Sequence, residues 1–190
     1  MQTTIESIFA EAARDISQCG RECSAAIAEI TGALIACFER GGKVLICGNG
    51  GSAAEAQHFA SEFVNKMYVF RKALPALALT TDSSALTSIG NDISFDDIFS
   101  RQVEALGSRG DILWGLSTSG RSVNVQKAFA AAQRAGLVCI AFCGKPGSDM
   151  EAAADIALTV PTGATGRVQE IHLLAGHIIC QLVEQHFSNA

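Results

Sequence analysis

Two periodicities divide this chain. From residue 3 to about 40 apolar side chains recur at helical spacing, first Ile5, Ile8, Phe9, Ala12 and Ile16, then Ile27, Ile30, Leu34 and Phe38, with Gly20 as the expected break between two helices. From residue 43 onward short apolar runs alternate with helical patterns. The runs at 43–47, 76–79, 111–116, 138–143 and 156–160 read as strands. Helices are expected near 52–65, 83–90, 97–106, 122–135 and 148–154, and a long one near 165–187 closes the chain. Such alternation builds right-handed βαβ units, so the expected fold is α/β: a five-stranded parallel sheet flanked by helices, doubly wound, with N-terminal helices added. Ligands of such sheets bind at the carboxyl ends of the strands, beside the point where strand order reverses.

The chain has 190 residues, enough for one full core, and shows no repeat or linker, so residues 1–190 are expected to form a single domain. Hydrophobic residues reach 48% against 17% charged, an excess that places part of the apolar surface between subunits, with the helices of 1–40 as the natural packing element. A net charge of −5 argues against a nucleic-acid surface; the basic cluster Lys66, Arg71 and Lys72 reads as a solvated loop. No run approaches a membrane span and the N-terminus lacks a signal pattern, so a cytoplasmic protein is expected. The seven cysteines, several inside apolar runs, read as buried reduced thiols; the Cys19/Cys23 and Cys139/Cys143 spacings do not match a zinc knuckle.

The most chemically loaded stretch is 47–62. A strand runs into Gly48-Asn49-Gly50-Gly51, whose glycines suit φ > 0 and close approach to a ligand; Ser52 is expected to cap a helix carrying His58 and Glu62 one turn apart. Free N–H groups at that helix start suit an anion or a sugar hydroxyl. A second polar loop, Ser117, Thr118, Ser119, Gly120, Arg121 and Ser122, follows the third strand and reads as a phosphate cradle. Asn91 and Asp92, expected in a turn, offer an amide and a carboxylate to a polyol. In the last helix Gln169, His172, Gly176 and His177 share one broad face, while Ile171, Leu174, Ile178 and Leu182 form a separate apolar stripe. Together His58, Glu62, Gln169 and His177 offer four N and O donors from two helices, a set able to hold Zn²⁺. Gly48-x-Gly50-x-x-Ala53 also fits the loose dinucleotide fingerprint, but that reading needs an acid near 66–72, and Asp82 is the first one beyond the second strand.

The chain resembles the sugar isomerase (SIS) domain family, and within it the branch acting on a seven-carbon sugar phosphate. The likeness rests on Cys-Gly-Asn-Gly-Gly-Ser-Ala-Ala-x-Ala-Gln-His-Phe at 47–59, Leu-Pro-Ala-x-Ala-Leu-Thr-Thr-Asp at 74–82 and Ile-Gly-Asn-Asp at 89–92. It extends through Arg-Gln-Val-Glu-Ala-Leu-Gly at 101–107, Ser-Thr-Ser-Gly at 117–120 and Arg-Val-Gln-Glu-Ile-His at 167–172. The resemblance implies a flavodoxin-like sheet, a homotetramer with sites shared between subunits, and the conversion of sedoheptulose 7-phosphate to D-glycero-D-manno-heptose 7-phosphate for surface polysaccharide. It implies Ser117, Thr118, Ser119 and Ser122 around the phosphate, with Asn49, Gly50, Gly51, Ser52, Asn91, Asp92 and Gln169 along the hydroxyls. It also implies a metal, expected to be Zn²⁺, at His58, Glu62, Gln169 and His177.

Moving a carbonyl between C1 and C2 needs a base to lift a carbon-bound proton and an acid for the neighbouring oxygen; Glu62 is the expected base and His177 the acid. A carboxylate held tightly by a cation is a poorer base, so Glu62 is expected to bind it loosely or to exchange roles. Two residues depart from the family pattern. Arg121 stands where Asn usually follows Ser-Thr-Ser-Gly, and is read as facing solvent; Gly166 stands where larger polar residues precede Arg167. A non-catalytic relative that binds the replication initiator replaces the base glutamate and the last-helix histidine, both present here. SIS sensor modules fused to DNA-binding helices need more chain than residues 1–40, and isomerisation of another phosphosugar is the remaining alternative.

Overall fold

A computed structural model describes residues 1–144 and 146–188. Two N-terminal helices, α1 (Gln2–Glu22) and α2 (Ser24–Glu39), precede β1 (Val44–Gly48), α3 (Gly51–Val64), β2 (Ala76–Ala78) and α4 (Ser83–Asp92). A 3₁₀ turn (Phe95–Asp97) leads to α5 (Ser100–Leu106), β3 (Ile112–Ser117), α6 (Val123–Ala135) and β4 (Val138–Cys143). The chain ends with α7 (Asp149–Ala152), β5 (Ile156–Thr159) and α8 (Thr165–Ser188). All five expected strands form, and they pair in parallel in the order β2-β1-β3-β4-β5. The order reverses between β1 and β3, which places the switch point between the 48–51 turn and the 117–122 loop.

Three local expectations are corrected. The first helix runs through Gly20, because one glycine costs only about 1 kcal/mol in a helix. The break falls instead at Cys23, where Cys19 and Cys23 both turn into the core. Ser52 is not the cap of α3: Gly50 is, at φ 56, and Ser52 is buried within the first turn. Of the three glycines in that turn only Gly50 has positive φ; a Cβ at Gly48 would meet Ser52 at 2.9 Å, and one at Gly51 would meet the Gln169 amide at 2.5 Å. Asn91 and Asp92 lie in the last turn of α4, not in a turn between elements.

The sheet separates two apolar layers. One is filled by α2, α3 and α8 and contains Phe59, Trp114, Phe142 and Ile179; the other, under α5 and α6, contains Leu113, Val103 and Phe129. An aromatic column crosses the first layer: Phe59 stacks on Trp114 at 5.1 Å, and Trp114 meets Phe142 edge-on at 4.9 Å. Gly176 of α8 sits against the tip of the Phe59 ring, so close that a Cβ there would lie 2.1 Å from it. This packing brings α3 and α8 together. The stripe of Leu174, Ile178 and Leu182 faces outward; the buried face of α8 is Val168, Ile171, Ala175, Ile179 and Val183.

Candidate active site

The α3–α8 contact joins residues 119 positions apart in sequence. His58 Nε2 lies 2.7 Å from His177 Nε2, and Glu62 Oε1 lies 3.5 Å from His58 Nε2. Ligand atoms of His58, Glu62 and His177 all fall within 4.8 Å of one another. Donor atoms around a tetrahedral Zn²⁺ at about 2.0–2.1 Å stand roughly 3.3 Å apart. The 2.7 and 3.5 Å contacts bracket that spacing, so the donor chemistry and geometry fit a divalent cation. Two facing Nε2 atoms at this distance otherwise share one proton, one ring donating and the other accepting. Partial burial and the neighbouring His58 hold the His177 imidazolium below its ordinary range, against the opposing pull of Glu62. Gln169, near the start of α8, packs its amide on Gly51 at the start of α3, two helical turns before His58.

The second loop approaches from β3. Ser117 Oγ lies 2.9 Å from Ser122 Oγ and 3.5 Å from Ser119 Oγ, and Ser119 Oγ accepts from the Arg121 N–H at 3.2 Å. Gly120, at φ 64, makes that bend. A cavity of about 790 Å³ opens beside this loop, with Thr118, Ser119 and Arg121 on one wall and Thr162 and Thr165, before Gln169 on α8, on another. Arg121 is exposed, and among the described residues no carboxylate pairs with it.

Asn49 ties the two loops together. Its side chain and that of Asn124 exchange two amide hydrogen bonds of 2.9 Å each. Asn124, buried at the start of α6, escapes sequence reading because a lone Asn near a helix start looks like a capping residue. Asn91 donates to Asp92 at 2.7 Å, and no hydrogen bond joins this exposed pair to the other candidates among the described residues. Asp82, the acid nearest to what a dinucleotide site requires, caps α4 by accepting from the Ala85 N–H.

Further buried polar groups surround the corner. Glu55, one turn before His58, is 8% exposed and its Oε2 has no partner among the described residues; burial pushes its carboxyl up to about 7 against the lowering influence of Ser52. His172 is fully buried against Phe142, neither ring nitrogen has a close hydrogen-bond partner among the described residues, and burial pushes it down to about 4 against the raising influence of the Cys143 backbone. Arg71 is not in a solvated loop, as its basic neighbours suggested, but 7% exposed beneath α3. All seven cysteines are free and buried, as expected.

The parallel sheet with a hydroxyl-rich loop at one strand end and an imidazole–carboxylate cluster between α3 and α8 has matches among known proteins. The family model described as SIS domain matches residues 8–144. The phosphoheptose isomerase of Desulfovibrio desulfuricans is 56% identical over 153 residues, covering 80% of this chain and 73% of that protein. That of Burkholderia pseudomallei is 51% identical over 160 residues, covering 84% and 81%. The structure of the phosphoheptose isomerase from Neisseria gonorrhoeae superposes with a TM-score of 0.92 at 42% identity, over 97% of this chain and 98% of that one. The chain belongs to the SIS domain family and, within it, to the phosphoheptose isomerases.

Proposed function

We propose that this protein interconverts sedoheptulose 7-phosphate and D-glycero-D-manno-heptose 7-phosphate through an enediol, as one SIS domain spanning residues 1–190. The observation that carries this reading is the meeting of His58, Glu62 and His177 across α3 and α8. In this reading the Ser117–Ser119–Ser122 hydroxyls and the N-terminus of α6 receive the phosphate, with Thr118 beside them. Asn49, Gly50, Gly51, Ser52 and Gln169 line the sugar, and Asn91 and Asp92 reach the polyol.

Glu62 removes the C1 proton of the ketose, exchanges it with solvent at the enediol stage and delivers a solvent-derived proton to C2, while His177 gives a proton to the C2 oxygen and takes one back from O1–H as the aldehyde forms. Each such acid or base is worth ~10²–10⁴-fold in rate. Glu62 presents Oε1 to His58, which leaves Oε2 for the proton. His58, Glu62, Gln169 and His177 would hold Zn²⁺, which when bound supplies Lewis acidity to polarise the carbonyl and stabilise the enediolate.

The product suits heptose synthesis for lipopolysaccharide or other surface polysaccharide in the cytoplasm. No helix among the described residues is long and apolar enough to cross a membrane. Assembly as a homotetramer, packed through the N-terminal helices, would cover Ile5, Ile8 and Phe9 of α1, which are about half exposed or more in the single chain. The test is incubation with sedoheptulose 7-phosphate, with and without chelator. Wild type is expected to yield the aldose, and Glu62→Gln and His177→Ala to bind the ketose without converting it. Normal turnover by Glu62→Gln would remove the base assignment.

A further inference from the structure

Beyond the reacting groups, α3 and α8 are joined by a second polar contact, and this one is buried. Arg71 and Glu184 side chains are 1% and 2% exposed, with Arg71 Nε 4.0 Å from Glu184 Oε2. Glu184 accepts three successive backbone N–H groups, from Met67, Tyr68 and Val69, at 2.7, 2.7 and 2.8 Å. Burial alone would raise its carboxyl; these donors together with Arg71 outweigh it and hold the group below the ordinary carboxylate range.

Arg71 Nε meets Glu184 as a charge contact only, with no hydrogen-bond partner among the described residues, while its two terminal nitrogens are spent on the end of α3 and on Lys72. Nη2 donates to the carbonyl of Glu62, and Nη1 to those of Phe63 and Lys72, all at 2.8 Å. The last turn of α3 contains no basic residue of its own, so Arg71 supplies the cation that its orphan carbonyls lack. Glu184 lies seven residues, two turns, beyond His177 on α8. One network therefore runs from the backbone of the expected base, through Arg71 and Glu184, to the helix that holds His177.

We infer that Arg71 and Glu184 are positioning residues for the isomerase centre: a buried ionic brace that fixes the end of α3 to α8 and so sets Glu62 and His58 against His177. The inference rests on the proton-transfer roles proposed above. Stability alone is a weak reason for such a pair, since the desolvation of two charges offsets much of their attraction and apolar residues often do as well. Position is a stronger one, because the brace ends on Glu62 itself and a base displaced by ~1 Å can lose ~10²-fold in rate.

The experiment compares Arg71→Lys, which keeps the charge but not the fork, and Glu184→Gln, which keeps the shape but not the charge. Val103→Ala serves as a stability control in the layer on the opposite side of the sheet. With folding verified by circular dichroism at 15 °C, both brace variants are expected to lose ~10- to 100-fold in kcat with KM for sedoheptulose 7-phosphate nearly unchanged. Val103→Ala is expected to keep the wild-type kcat despite a lower Tm. In long-range ¹H–¹⁵N spectra the His58 and His177 ring signals should move in the brace variants while those of His172 stay. Wild-type kcat in folded brace variants, or a loss no larger than that of Val103→Ala, would overturn the inference. If wild type itself left sedoheptulose 7-phosphate unchanged, the functional reading would fall; the ring signals would then decide the brace alone, and unmoved signals would overturn it.

Discussion

Gly176→Ala reverses an ordinary expectation. In a helix interior the exchange normally stabilises by about 0.8–1.0 kcal/mol. Here the new Cβ would stand 2.1 Å from Phe59 Cζ and 2.3 Å from Cε1. Carbon atoms rest at about 3.5–4.0 Å, so the two groups must part by at least ~1.4 Å. Phe59 cannot turn aside, because it is fully buried and stacked 5.1 Å from Trp114. The helices must separate instead. Overpacking of this kind costs about 1–3 kcal/mol and sometimes more, which exceeds the propensity gain.

A net loss of about 1–2 kcal/mol corresponds to a Tm lower by about 2–8 °C for a chain of this length. Activity should fall further than stability. His58 directly precedes Phe59 on α3 and His177 directly follows Gly176 on α8, so separation of the helices opens the 2.7 Å contact between the imidazoles. A shift near 1 Å predicts a kcat loss of ~10²-fold. Calorimetry and steady-state kinetics on the folded variant measure both. A raised Tm with wild-type kcat would refute the reasoning that this glycine sets the spacing of α3 and α8.

Glu55 and His172 should impose opposite pH slopes on stability. Folding raises the Glu55 pKa to about 7, so its contribution is present near pH 4.5 and lost as pH rises toward 7; folding lowers that of His172 to about 4, so its contribution is present above 6.5 and lost as pH falls toward 4. Each amounts to about 3 kcal/mol, so Glu55→Gln should show a Tm that climbs from pH 4.5 to 6.5 more steeply than wild type; equal profiles in a thermal scan would refute the assignment. Asn124→Ala leaves the Asn49 amide without its partner, which should cost about 1–3 kcal/mol in denaturant unfolding and raise KM as the two loops part; an unchanged midpoint and KM would count against the bridge. Arg121→Ala removes the cation on the cavity wall and should raise KM for the phosphosugar several-fold at low salt with kcat kept, an effect that fades as salt is added; insensitivity of KM would return Arg121 to the solvent role.

The strands were legible because each is a short apolar run closed by a strong turn signal, as in Val44–Gly48 before Asn49 and Ile112–Ser117 before Gly120. The histidines were legible as helical spacing, His58 with Glu62 and Gln169 with His177. What the pattern could not contain was contact between distant segments. Glu184 looks like a surface acid near a helix end until the chain at 67–69 folds over it, and Arg71 looks solvated until α3 places two carbonyls, of Glu62 and Phe63, against it. The outward stripe of Leu174, Ile178 and Leu182 shows the same limit: periodicity finds a face but does not say which face meets the sheet. Ser52 followed the rule for caps and yielded to Gly50, whose positive φ the turn requires.

The most direct test of the central claim is ¹H and ²H NMR of sedoheptulose 7-phosphate incubated with the protein in D₂O. An enediol formed by Glu62 across the α3–α8 corner predicts an aldose 7-phosphate carrying solvent deuterium at C2, and predicts that Glu62→Gln produces none. An unchanged ketose, or an aldose formed without deuterium at C2, would contradict it.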